Sequence, residues 1–520
     1  MTMRSAECTG GVLLYLSRMK NSFKTIDSRF ESNFRKISLG LFWTIFTLKL
    51  FETLCFINYI DPFAYHIAFP RQWYETSFLE ALKSNDLYLI SGLFDYLYII
   101  PMLIFKGDRF PALLMSQSMH FIFSIGIGSL ILNNWFKKYY WGPVAGLCLL
   151  TISKSSTFFL VAKNDGALSL AVLVSFLIIY DDSFLIRLKG IARAIVIGLS
   201  LGLIPAIKLN GLLYVASIGL YFVLKNRKNY ALVVIAVLSS LVLFLPFLIK
   251  NWLLIRSPFF PALLSLFPGE VSSPMHSFYS RFIGSKFELV HLFKHLQYFF
   301  FGKVFFVTSI LLLGFKFRRK EPLTLSSNYI SFIISASGYV LYLFINGGLP
   351  TYRFIFPGYF LIVYFIFNEL KGYSFELNKF KIVPILILVI ILADSKVDKS
   401  FKRLMKRWDD RNMSFREVAN RDFPYSQFWN YVTVEPNQKT YVISDFLTNT
   451  YFAPKEVRIK ASVVHREGRI ITVCDDVEKL KKYHYALLRF KSLNKCYQEI
   501  ESNWENVYSK GEITLYRGRY

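Results

Sequence analysis

The sequence predicts an all-α polytopic membrane core of about eleven transmembrane helices, closed by a small C-terminal α/β domain. Three observations predict it. The 520 residues are 54% hydrophobic and 18% aromatic but only 18% charged, where soluble domains carry about 25% charge. The apolar residues fall in long runs, and the mean hydropathy is +0.38. The excess of 61 Lys+Arg over 35 Asp+Glu, a net +26, collects in short loops between those runs, as the positive-inside rule requires. The charge therefore reports topology and contact with lipid headgroups. With no basic-aromatic binding motif in the chain, nucleic acid is excluded as the reading.

Residues 1–36 are polar and basic, which sets the N-terminus in the cytoplasm. The run at 37–60 lacks a small-residue cleavage site and follows too long a polar segment to be a signal peptide, so it is read as an uncleaved first span. The first outer loop covers 58–109. Within it, 87–105 is apolar but carries Asp95 and Pro101. It is assigned to the membrane interface or a re-entrant segment, because counting it as a span would invert every later loop. Further runs lie near 110–132, 140–161, 166–180, 191–207, 210–224, 229–250, 299–315, 328–346, 352–368 and 380–393. Loops on the cytoplasmic side then hold two or more basic residues, as in Lys137 with Lys138 or KFRRK at 316–320, while the outer side holds Lys163, Lys208 and Arg353 singly.

A long outer loop spans 251–298 and the membrane core spans 37–393. An odd span count places 394–520 outside the cell membrane, and the mixed composition there suits a soluble α/β domain. Its expected elements are strands at 440–446 and 468–476, a charged helix at 477–490 and a closing strand in ITLYRGR. The five cysteines form no CxxC and no zinc spacing, so neither a disulfide framework nor a structural metal is implied.

Ionisable groups in or beside apolar runs are the candidates for chemistry, since a charge at the bilayer centre costs about 2.5–3.5 kcal/mol. Asp61 and His66 stand where the first span leaves the membrane, in NYIDPFAYH. A carboxylate beside His can take a proton from a hydroxyl, and an Asp before Pro can equally start a helix. Asp165 in AKNDGAL opens an apolar run as an N-cap or a site acid. Lys208, with Asn210, marks either a short turn between spans or a polar cavity. Arg256 lies in an aromatic and proline-rich stretch suited to the membrane surface, and Arg353 opens a late span as a snorkelling cation or a phosphate clamp. HLFKH at 291–295 pairs two His without the Glu of a metalloprotease helix.

In this order the motifs DPFAYH (61–66), KNDG (163–166), IKLNG (207–211), KNWLLIRSPFFP (250–261) and YRFIFP (352–357) resemble bacterial members of the GT-C superfamily. These are polytopic glycosyltransferases related to the dolichyl-phosphate-mannose and aminoarabinose transferases. The resemblance covers about residues 37–370 and implies transfer of a sugar from a polyprenyl-phosphate donor to a cell-envelope acceptor at the outer face of the plasma membrane. It implies Asp61, with His66, as the catalytic base, and Asp165 and Asp95 as groups that position the acceptor or a divalent cation, Mg or Mn. Lys208, Arg353 and Arg256 would bind the donor phosphate. Membrane lipid and envelope-glycan assembly proteins are the implied partners. Two departures stand out: Arg256-Ser257-Pro258 replaces a common Gly-Asn-Pro, and the first loop has one carboxylate at Asp61 rather than a pair. A transporter or lipid flippase would share the span count and buried lysine but calls for inverted repeats, and none is convincing here. A non-catalytic envelope scaffold of the same fold is the third reading, and Asp61→Asn separates it from an enzyme.

Overall fold

The computed structural model describes residues 6–270, 333, 337, 338, 341 and 356–518, leaving out within those ranges 58–61, 85, 137–140, 152–158, 181–187, 261–265, 268, 373–381, 395–396, 423, 436–437, 439, 445–450, 452, 454–456, 462, 465–469, 472–476, 489–494 and 511–512. The chain folds as a mostly helical body followed by a small sheet domain. Helix α1 runs unbroken over Ala6–Glu52, so the basic N-terminal segment and the first apolar run share one helix. A π-helical turn, Pro62–His66, then leads into α2 (Ala68–Glu75) and α3 (Phe78–Ser84). The apolar stretch 87–105 is a 3₁₀ turn (Asp86–Ile90) followed by the short helices α4 (Leu93–Leu97) and α5 (Ile99–Ile104), not one continuous span.

Helices α6 (Arg109–Phe121) and α7 (Ile127–Trp135) join through a π-helical turn with a kink at Phe123. The later core helices are α8 (Trp141–Leu150), α9 (Asp165–Tyr180), α10 (Gly190–Ile207), α11 (Leu212–Lys225) and α12 (Tyr230–Ile255). They are followed by α13 (Phe356–Gly372) and α14 (Ile382–Asp394). Among the described residues three stretches, Arg109–Trp135, Gly190–Ile207 and Tyr230–Ile255, are long and apolar enough to cross a bilayer, fewer than the eleven spans expected. The shorter apolar helices, such as Asp165–Tyr180, match expected runs in position but fall below the ~20 residues an upright span needs. Two expected spans, 299–315 and most of 328–346, lie outside the described residues.

A close crossing of two helices is set by small residues. A Cβ on Gly198 would sit 2.2 Å from the Ala236 carbonyl, and one on Gly202 would sit 2.1 Å from that of Ser240. These glycines, one turn apart on α10, let it lie against α12 backbone to backbone, which is how membrane helices pack where apolar burial supplies no drive.

After α14 come α15 (Val397–Asp409) and α16 (Phe415–Asp422). A five-stranded sheet follows, in the order β2-β1-β5-β7-β6, with β3 (Val463–Val464) and β4 (Ile470–Ile471) pairing antiparallel as a separate ribbon. Strands β1 (Thr440–Ser444), β2 (Val457–Ala461) and β5 (Tyr485–Leu488) are parallel, and β6 (Glu505–Lys510) and β7 (Ile513–Arg517) extend them antiparallel. Helix α17 (Lys495–Asn503) connects β5 to β6. The expected helix at 477–490 is corrected: only Val477–Lys482 turns, as 3₁₀, and Tyr485–Leu488 is the central strand. All four of its residues are buried, the mark of a strand covered on both faces, which hides the alternation that a half-buried strand would show.

Candidate active site

The site forms where α9 begins and α10 stops, beside the last turn of α6 and the turn that follows α1. The turn before α9 is KNDG, and its two central residues face different partners. Asn164 donates through Nδ2 to Asp95 Oδ2 at 3.1 Å. Asp165, the first residue of α9 rather than its cap, pairs through Oδ1 with the Lys208 ammonium. Lys208 itself caps α10 in extended conformation and opens the 3₁₀ turn Leu209–Gly211. The two readings of this lysine are therefore both present: it marks a turn, and it reaches a polar interior.

Asp95 is fully buried near the start of α4. Its Oδ1 lies 2.7 Å from His66 Nδ1, and its Oδ2 accepts the Gly92 N–H at 3.0 Å as well as Asn164. A buried carboxylate is tolerated when donors surround it in this way. Gly92 is required here by close approach, since a Cβ would sit 2.0 Å from the Ile207 carbonyl at the end of α10. With Asp95 ionised, His66 Nδ1 carries the proton and donates, leaving Nε2 as the acceptor. That Nε2 is buried and meets no hydrogen-bond partner among the described residues.

A second buried histidine lies alongside. His120 Nδ1 is 3.2 Å from the Tyr98 hydroxyl, which donates to the Lys163 carbonyl at 2.5 Å. The Nε2 of His120 and the Oδ1 of Asn164 are likewise buried and unmatched among the described residues. Polar atoms left open inside a packed interior point to a ligand or ordered water.

Lys250, on the last turns of α12, reaches the segment that carries Asp95. Its Nζ donates to the carbonyls of Leu89 (2.9 Å) and Ser91 (3.2 Å) and to the Tyr96 hydroxyl (3.0 Å). It thereby ties the 3₁₀ turn and α4 to α12. The expected run ends at Lys250, with the outer loop from 251; the helix in fact continues to Ile255. Arg256 caps α12 in the left-handed region (φ 55°), exposed, with its guanidinium 6.0 Å above the Trp252 ring.

Of the residues singled out from sequence, the structure brings together His66, Asp95, Asp165 and Lys208. Arg256 stands apart at the end of α12, and Asp61 and Arg353 lie outside the described residues. Asn164, Tyr98, His120 and Lys250 are the members that sequence reasoning missed.

The C-terminal domain meets this end of the core at Tyr451 and at Ala453, whose carbonyl accepts from Arg109 at 3.0 Å. Tyr451 packs against Phe63 with ring centroids 5.9 Å apart and is fully buried. Its carbonyl accepts from Arg71, and its hydroxyl donates to the Arg109 carbonyl. Both arginines also bond Glu75.

The fold as a whole is shared with solved structures. No family model and no curated protein matches the sequence. The crystal structure of ArnT from Cupriavidus metallidurans bound to undecaprenyl phosphate superposes with a TM-score of 0.53 at 12% identity, over 92% of this chain and 97% of that one. The apo state of the same protein gives 0.54 at 13% identity over the same shares. The chain has the fold of ArnT. The match extends beyond the 37–370 of the sequence motifs into the sheet domain.

Proposed function

We propose that this chain is an integral membrane glycosyltransferase that moves a sugar from a polyprenyl-phosphate donor to an acceptor at the outer face of the plasma membrane. The observation that carries the reading is the convergence of Asp165, Lys208, Asp95, Asn164 and His66 at one end of the helical core. The fold supports it, because it is shared with ArnT, a protein crystallised with undecaprenyl phosphate. In this reading about eleven helices cross the membrane, the N-terminus is cytoplasmic and the sheet domain is extracytoplasmic, in line with the basic loops.

The chemistry follows from the charges. An acceptor hydroxyl oxygen attacks the anomeric carbon, the bond from that carbon to the phosphate oxygen breaks, and polyprenyl phosphate leaves with the negative charge. The hydroxyl proton passes to Asp61, the base in this proposal, and cations at Lys208, Arg353 and Arg256 offset the phosphate. Asp165 holds Lys208 in place before the donor arrives. The His66–Asp95 pair orients the wall that positions the acceptor.

A Mg or Mn ion, carried over with the resemblance, would draw on Asp61; among the described residues no three His, Cys, Asp or Glu side chains group as a cation site. No step is routed through one. Envelope-glycan assembly proteins are the partners this reading suggests.

The experiment is transfer of labelled sugar from polyprenyl phosphate in membranes holding wild type or Asp61→Asn at equal level. Label made by the wild type and lost in the variant supports the reading. Equal label removes Asp61 from it, and no label from a broad donor panel removes the enzyme.

A further inference from the structure

Helix α15 carries an exposed apolar stripe on the water-soluble side of the sequence boundary. Phe401, Met405 and Trp408 are 59%, 48% and 65% exposed. Their spacing of i, i+4 and i+7 sets them on one face. Roughly 130–150° around the helix from that stripe, by the 100° step per residue, stand Lys399 and Lys406. The helix thus presents an apolar face and, well away from it, a basic one.

A third side of α15 is fixed to the core. Ser400, fully buried, donates to Glu52 at the end of α1 (2.5 Å) and accepts from Lys49 (2.6 Å). Arg403 pairs with the other oxygen of Glu52, and Arg407 lies 5.0 Å over the Phe110 ring. These anchors set the rotation of the helix, so the outward aim of Phe401, Met405 and Trp408 is imposed and not a matter of free tumbling.

What covers the stripe is indicated by its neighbours. Helix α15 starts two residues after the apolar α14, whose Ile385, Leu386 and Val389 are exposed in the same way. Glu52, its anchor, lies between Phe51 and Leu54, which belong to the exposed apolar belt of α1 at 54% and 42%. The stripe is therefore continuous with surfaces that face lipid. A Trp at one end and lysines along the far face are the composition of a helix lying in the headgroup layer.

The geometry points to α15 as an interfacial helix that inserts Phe401, Met405 and Trp408 into the bilayer surface, with Lys399 toward the phosphates of the headgroup layer while Lys406 is held by Asp422. It moors the sheet domain to the lipid on one side while Tyr451 docks it to the core on the other. This holds independently of the reaction catalysed.

The test places p-benzoylphenylalanine singly at 401, 405, 408, 399 or 406 in the full chain, in nanodiscs of phosphatidylethanolamine and phosphatidylglycerol, with elution volume as the check on folding. On illumination, positions 401, 405 and 408 should yield phospholipid adducts about tenfold above 399 and 406, following the helical period. Equal adducts at all five positions, or none at any, would overturn the proposal. Chain-to-chain crosslinks from 401, 405 and 408 in place of lipid adducts would overturn it too, by assigning the stripe to a second copy.

Discussion

His66 Nδ1 and Asp95 Oδ1 lie 2.7 Å apart although 29 positions separate them, and both side chains are buried. Asp95 also accepts from Gly92 N–H and Asn164, so a single carboxylate joins the π-helical turn after α1, the start of α4 and the turn before α9. Asp95→Ala would leave those donors unmatched in the interior, at a cost of about 3–5 kcal/mol. We expect poor recovery and a lowered melting temperature in detergent. Asp95→Asn keeps the shape and one acceptor oxygen, and should fold while losing roughly a hundredfold in transfer, because the histidine loses its orienting charge. Wild-type transfer by a folded Asp95→Asn protein would remove this pair from the site.

Asp165 and Lys208 form the second ion pair of the site, with Asp165 buried and Lys208 mostly so. Removing one partner strands the other, and removing both does not. Lys208→Met and Asp165→Asn should each lower stability by about 1–3 kcal/mol, and the double variant should recover part of that loss. Transfer should not recover, because the phosphate would still lack its cation. Thermal melts and transfer rates on the four proteins give both cycles, and additive stability losses would show that the two groups do not couple.

At the junction with the sheet domain, Tyr451 fills a socket between Phe63, Arg71 and Arg109. Tyr451→Phe removes one hydroxyl bond and should cost about 1 kcal/mol. Tyr451→Ala empties the socket and should cost about 3–5 kcal/mol, releasing the domain to limited proteolysis between α16 and β1 while the core stays intact. Equal protease resistance in wild type and Tyr451→Ala would mean that other contacts hold the domain.

Much of this was legible in the sequence, for a physical reason. A polar residue inside an apolar run is costly, so Asp165, Lys208 and Asp95 stand out without any structure. Their pairing does not, because it depends on where helix ends meet: Lys208 reaches Asp165 across 43 positions, and Glu52 reaches Ser400 across 348. Lys250 closes the expected run at 229–250, where a basic residue at a span end carries no signal of burial; the helix continues past it to Ile255. The central strand β5 was hidden because a strand buried on both faces has no period to read. Tyr451 sits in a polar stretch and carries no local signal at all.

The link from α15 to α16 should give the protein an acid-side loss of stability. Arg421 bonds both oxygens of Asp410, at 2.6 and 2.7 Å, and this holds the Asp410 carboxyl below its ordinary value. Asp422 is partly buried, which pushes its carboxyl up, but hydrogen bonds from Arg421 and Lys406 outweigh this and leave it lowered as well. A carboxylate whose folded value is depressed stabilises the fold above its unfolded value, near 3.9, and that contribution is lost as pH falls through the lower folded value. Melting temperature of the full chain in detergent should therefore drop between about pH 4 and the lower folded values. In Arg421→Met the two carboxylates lose their shared partner, so their folded values move back toward the unfolded one and this part of the drop should shrink. An unchanged acid profile in Arg421→Met would assign the pH dependence to other groups and leave the Asp410–Arg421–Asp422 cluster a surface contact with little energetic weight.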